Sequence, residues 1–141
     1  MRVATRSSER LARLQRARRF IDESFDQPID LALMARRAGL SPYHFVRTFR
    51  QEFQRTPHRY LQELRIDRAK QLLAAGDLSV TDVCFEVGFA SPGSFSTLFH
   101  RLVGQPPASY RRRRLVVVPA LHARPRIFVP DCYLRRFAIA A

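Results

Sequence analysis

The chain has 141 residues, enough for one compact domain or two very small ones, and 46% of them are apolar, enough for a packed core. Its 25 Lys and Arg against 12 Asp and Glu give a net charge of +13, which suits a phosphate-rich partner without choosing among DNA, RNA and an anionic membrane. No apolar run approaches the ~18 residues of a membrane span, no secretory signal opens the chain, and Cys84 and Cys132 make no C-x-x-C pair, so a soluble cytoplasmic protein with no membrane partner is expected.

Residues 1 to about 7 read as a loose arm. From Ser8 onward Leu11, Leu14, Ile21 and Phe25 share one stripe, predicting a first helix that lies as a lid on the core. Gln27-Pro28 stops it. Asp30 is placed to cap a short helix over Leu31, Leu33, Met34 and Ala38, and Gly39 makes the turn that follows. Ser41 caps the next helix, with Pro42 at its first position, where a missing N–H costs nothing; Phe45, Phe49 and Phe53 recur at intervals of four and face inward. Thr56-Pro57 repeats that start and opens a longer helix to about Ala75, striped by Tyr60, Leu61, Leu64, Ala69, Leu72 and Leu73 and ended by Gly76.

Ser79 followed by Asp82 resembles a capping box, ahead of a helix that buries Val80, Val83, Cys84 and Val87. Gly88-Phe89-Ala90 is its turn. Ser91 to about Val103 forms the next helix, with Phe95, Phe99 and Leu102 inward, and Pro107 to about Arg113 forms a last short one. After Arg114, Val116 to Val118 are β-prone and Pro119, Pro125 and Pro130 forbid a long helix. They predict an irregular or hairpin-like tail that covers apolar surface of the helical body or docks a partner.

The chain also repeats itself. Ser41, Pro42, Phe45, Phe49, Pro57 and Tyr60 reappear fifty positions later as Ser91, Pro92, Phe95, Phe99, Pro107 and Tyr110, and each copy reads helix, glycine turn, helix. Two copies are too few for a helical solenoid, which needs about three. A bi-helical unit with a glycine turn is the helix-turn-helix pattern, whose second helix enters the DNA major groove. The expected class is all-α: a first helix-turn-helix subdomain at 8–56, a linker helix at 57–76, a second subdomain at 77–114 and the tail at 115–141.

On each second helix the phenylalanines fix the buried face, and the opposite face can be named. In the first copy it shows Tyr43, Val46, Arg47 and Arg50. Arg47 is placed to grip guanine in a bidentate fork and Arg50 to meet phosphate; solvated arginines touching only phosphate are the alternative. In the second copy the same face shows Gly93, Ser96, Thr97 and His100, with no arginine. The first unit is therefore expected to supply most base specificity and the second mainly backbone affinity and shape readout. Ser41, Ser79 and Ser91, at helix N-termini, are candidate phosphate clamps or simple caps, and Arg111 is a further candidate for phosphate. The four histidines and two cysteines have no ligand spacing, no catalytic triad can be assembled and no glycine-rich phosphate loop is present, so neither an enzyme nor a cofactor is expected.

The run from Gly88 through Phe99, continued by Gly104-Gln105-Pro106-Pro107 and Tyr110-Arg111, resembles the C-terminal signature of AraC/XylS-type bacterial transcription regulators. Ala35 to Gly39, then Ser41-Pro42-Tyr43-His44-Phe45 and Arg47-Thr48-Phe49, resemble that family's first helix-turn-helix; together the likeness covers about residues 8 to 113. It implies two recognition helices inserted into successive major-groove segments of double-stranded DNA, and transcription control, usually activation through RNA polymerase. The family's DNA-reading positions fall on Tyr43, Val46 and Arg47, and on Gly93, Ser94 and Thr97. Thr97 and His100 stand where members often carry basic residues, His100 being expected at phosphate. No effector-binding domain fits in residues 1 to 7, so the chain resembles stand-alone members that bind as monomers, or else a truncated longer regulator. A nonspecific nucleic-acid-binding protein and a protein-interaction module are the competing functions.

Overall fold

The computed structural model describes residues 2–115, and among them the chain forms seven helices and no strand. These are α1 (Arg2–Ser24), α2 (Leu31–Ala38), α3 (Pro42–Phe53), α4 (Pro57–Ala75), α5 (Val80–Glu86), α6 (Pro92–Val103) and α7 (Pro107–Leu115). The tail from residue 116, with Cys132 and His122, lies outside the described residues. The first helix begins at Arg2, not near Ser8: residues 2–7 hold no Pro or Gly to stop it, so α1 continues past the end of its apolar stripe.

Side chains start the helices where the sequence places caps. Asp30 Oδ1 accepts the Leu33 N–H at 2.7 Å, Ser41 Oγ that of His44 at 3.4 Å and Thr56 Oγ1 that of Arg59 at 3.3 Å. Ser79 and Asp82 close a reciprocal capping box. At the end of α3, Gln54 adopts the left-handed conformation (φ 58°), which Gly104 occupies without a Cβ penalty in the second copy.

Two cores form, and the repeat survives in both. In the first, Leu14, Ala17 and Ile21 of α1 meet Met34, Ala35 and Ala38 of α2 and Phe45 and Phe49 of α3. In the second, Ile66, Ala69 and Leu73 of α4 meet Val83 and Cys84 of α5, Val87 just beyond it, and Phe95 and Phe99 of α6. Phe49 packs on Tyr60 with ring centroids 5.9 Å apart, and Phe99 packs on Tyr110 at 5.6 Å. The echo reaches further back than Ser41: Leu14, Ala17 and Ile21 recur fifty-two residues later as Ile66, Ala69 and Leu73.

The long helix α4 therefore serves twice. Its first half closes the first core through Tyr60 and Leu61, and its second half opens the second through Ile66, Ala69 and Leu73. At about 100° per residue these two sets lie on nearly opposite faces, roughly 165° apart. Nineteen residues give it a length of about 28 Å, so the two units are held on opposite sides of one rod. The lid α1 is pinned to it where the Tyr60 hydroxyl donates to Asp22 Oδ1 (2.5 Å) and accepts from Arg18 Nε (3.1 Å). Burial, then Asp22, push the phenol well above its ordinary range, so it stays protonated as a donor.

One inward assignment on α6 changes. Leu98 is buried in the second core, while Leu102 is 40% exposed. Leu102 lies one turn past Leu98, where α6 has run beyond the core, and opens with Arg101 onto a shallow cleft against Arg59, Gln62 and Glu63 of α4. Glu63 there accepts from Arg55 Nη1 (2.6 Å) and Arg59 Nε (2.9 Å).

Candidate nucleic-acid interface

With Phe45 and Phe49 fully buried, α3 turns Tyr43, Arg47 and Arg50 outward, Tyr43 being 78% exposed and Val46 half-buried between the two faces. The start of α2 runs beside it, so that Leu31, Pro42, Tyr43, Val46, Arg47 and Arg50 line an open groove of about 810 Å³. This puts two arginines, a phenol and an aliphatic methyl pair on one surface. The guanidinium of Arg47 has the planar fork that matches guanine O6 and N7, and Val46 and Tyr43 offer apolar contact for a thymine methyl. Arg36 and Arg37 occupy the last turn of α2, with Arg37 stacked over Phe20 at 4.5 Å.

On α6 the corresponding face shows Gly93, Ser94, Thr97 and His100, all exposed, with Ser96 half-buried. A Cβ added at Gly93 would meet nothing within 4 Å, so the backbone there is open to close approach. Ser94 is tied back, its N–H (3.3 Å) and Oγ (2.9 Å) both bonded to Ser91 Oγ. The charge of the two helix pairs differs sharply: from Gln71 to Phe99 there is no Lys or Arg, only the acids Asp77, Asp82 and Glu86.

Two of the phosphate candidates have other partners. Arg111 Nη2 donates to Gly76 O at 2.9 Å, so its guanidinium fastens α7 to the end of α4. Ser79 Oγ donates to Asp82 Oδ2 at 2.6 Å, which makes it a cap with a carboxylate against it, repelling a phosphate rather than inviting one. Ser41 and Ser91 each cap a helix that carries one of the two candidate faces. Arg101, exposed one turn on from Thr97, is a further cation on that side of α6 that the sequence reading did not name; it falls fifty positions after Gln51, which lines the groove of the first unit.

Arg65 on α4 joins the two units. Its Nε donates to Phe25 O at 2.6 Å and its Nη2 to Gln27 O at 2.9 Å, both in the α1–α2 turn, while its guanidinium lies 5.6 Å from the Phe89 ring centroid in the α5–α6 turn. Burial draws its pKa below the ordinary arginine value, with nearby Asp26 acting in the opposite sense. Cys84 is fully buried and its thiol is pushed up by burial, the behaviour of a small core residue. Among the described residues no group of His, Cys, Asp and Glu could hold a metal, and no helix is long and apolar enough to cross a membrane.

Two helix-turn-helix pairs on opposite sides of one helix, each presenting the outer face of its second helix, define a two-headed DNA-binding domain. The helix-turn-helix domain family matches residues 34–113, more than half of the chain. The transcriptional activator RhaS of Escherichia fergusonii is 37% identical over 103 residues, covering 73% of this chain and 37% of its own length. The regulatory protein SoxS of Salmonella typhimurium is 30% identical over 67% of this chain and 88% of its own. The DNA-binding domain of the global transcriptional factor AdpA, solved with a target DNA, superposes with a TM-score of 0.72 at 30% identity, over 77% of this chain and 97% of that one. The chain belongs to the AraC/XylS family of helix-turn-helix DNA-binding transcriptional regulators.

Proposed function

We propose that this protein is a sequence-specific transcriptional regulator, in the mode of an activator, that inserts α3 and α6 into successive major-groove segments on one face of double-stranded DNA. The observation that carries this reading is that α3 and α6, each packed by its phenylalanines and exposed on the opposite face, belong to two cores built on a single shared helix. Tyr43, Val46 and Arg47 read bases in the first segment, Gly93, Ser94 and Thr97 in the second. Ser41, Arg50, Ser91 and His100 meet phosphates, with Arg101 added to that set. The likeness to RhaS, a transcriptional activator, supports activation over repression; contact with RNA polymerase, a monomer on DNA and a cytoplasmic location belong to the same proposal.

The faces are unequal, and discrimination is concentrated in the first. Arg47 has Thr97 as its counterpart fifty positions on, and the surrounding α5–α6 pair is acidic where α2–α3 is basic. Selection of binding sites from random duplex DNA at near-physiological salt, followed by footprinting, tests the reading. Two elements roughly 10 bp apart, the one under α3 more informative, are expected. Salt-sensitive binding that enriches no motif would replace this function with nonspecific coating of polyanions. Thr97→Arg supplies the second helix with the missing fork and is expected to tighten binding about five-fold or more to sites with a guanine in the second element. Uniform tightening on every sequence would mean that position 97 meets the backbone instead.

A further inference from the structure

We propose that Arg65 is the positioning residue that holds the two reading helices in register, so that the protein measures the spacing between its two DNA elements. The inference rests on the two-headed reading above and concerns how its geometry is enforced. Three contacts meet at one guanidinium. Two are hydrogen bonds to backbone carbonyls of the first unit, Phe25 O at 2.6 Å and Gln27 O at 2.9 Å. The third is the face of Phe89, two residues before the cap of α6, with the guanidinium carbon 5.6 Å from the ring centroid.

The seam is closely packed on the opposite side as well. Gly88 has φ +88°, and a Cβ there would come within 2.8 Å of Asp26 O and 3.0 Å of Arg65 Nη2. The turn that launches the second reading helix therefore rests against the loop of the first unit, with Arg65 between them. Because the bonds go to carbonyls flanking one turn, the planar fork fixes an orientation as well as a distance, which an ammonium point charge does not. The core contacts on α4 set which side of the rod each unit occupies. Arg65 adds a contact at its side-chain tip, away from the rod's axis, where a bond between the units has the leverage to resist rotation of α6 relative to α3.

Register matters because DNA is unforgiving in spacing. One inserted base pair moves the second element by about 3.4 Å and turns it by roughly 35°. A rigid two-headed reader loses the advantage of its second head when geometry forbids simultaneous engagement, whereas a loose one keeps part of it.

The test uses the full chain and the selected two-element duplex, in a series with the spacing changed by one or two base pairs either way and a control with one element scrambled. The wild type is expected to lose about ten-fold or more in affinity on a one-base-pair change. Arg65→Gln should bind the best site more weakly and show a penalty at least about three-fold smaller for the same change, with Arg65→Lys between the two. Thermal melting runs alongside. A role confined to stability lowers the melting temperature and leaves the ratio of affinities across spacings unchanged, and that result would overturn the assignment. If Arg65→Gln is unfolded at the assay temperature, Arg65→Lys and Gly88→Ala, which forces the seam open from the other side, are judged by the same ratio. Failure of the two-headed reading has a separate sign: the wild type itself would bind the scrambled-element control as tightly as the intact site.

Discussion

Arg47→Ala is expected to weaken binding to the selected site by about 1–3 kcal/mol, roughly 5- to 150-fold, while affinity for random duplex changes little. The asymmetry follows from what the side chain does. Arg47 stands on the outer face of α3 beside exposed Tyr43, on the opposite side of the helix from the buried Phe45 and Phe49. A guanidinium there that grips a base edge contributes only where that base is present. Arg50, one turn later, provides the contrast. If it meets phosphate, Arg50→Ala weakens every sequence alike and lowers the slope of log K against log salt by about 0.9. Fluorescence anisotropy on specific and random duplexes at several salt concentrations separates the two behaviours. Equal losses for Arg47→Ala on both duplexes would remove it from the base-reading set.

The parts of this fold that were legible in the sequence are those written in local chemistry. Ser41-Pro42, Thr56-Pro57, Ser79 with Asp82, and Ser91-Pro92 each carry a cap or helix start within four residues, and each starts a helix in the structure. The fifty-residue echo of phenylalanines identified the buried side of both reading helices, and with it the outward faces. What was hidden depends on contacts between distant segments. Ile66 escaped notice because the apolar stripe of α4 changes sides midway, a break in periodicity that looks like noise until two cores are seen on one helix. Leu102 was named inward and Leu98 was not, since spacing from Phe95 and Phe99 says nothing of where the core ends along the axis. Arg65 and Arg111 bond to carbonyls 35 to 40 residues away, and in a chain this rich in arginine nothing local distinguishes them from solvated cations. Arg101 fell outside the face drawn from phenylalanines alone.

Phe49→Ala is expected to destabilise the protein by about 3–5 kcal/mol and to bring down both units in one transition. Phe49 is fully buried and touches three aromatic neighbours, Phe45 at 5.3 Å, Phe53 at 4.5 Å and Tyr60 at 5.9 Å between ring centroids. Truncation removes the ring and leaves a cavity that these neighbours, held on three turns of α3 and α4, can fill only in part. Against a typical total stability of about 5–15 kcal/mol, that is a large share. The cooperative spread follows from α4. Each unit is about fifty residues, a size at which a single core is marginal alone, and the second core is built on Ile66, Ala69 and Leu73 of the helix whose first half the first core orders. Losing the first unit also removes the carbonyls that hold Arg65. Hydrogen exchange read at the amides of α6, far from the substitution, should therefore lose protection in step with those of α3. Retained protection in α6 alongside collapse in α3 would mean that the second half of α4, with α5 to α7, folds as a unit of its own.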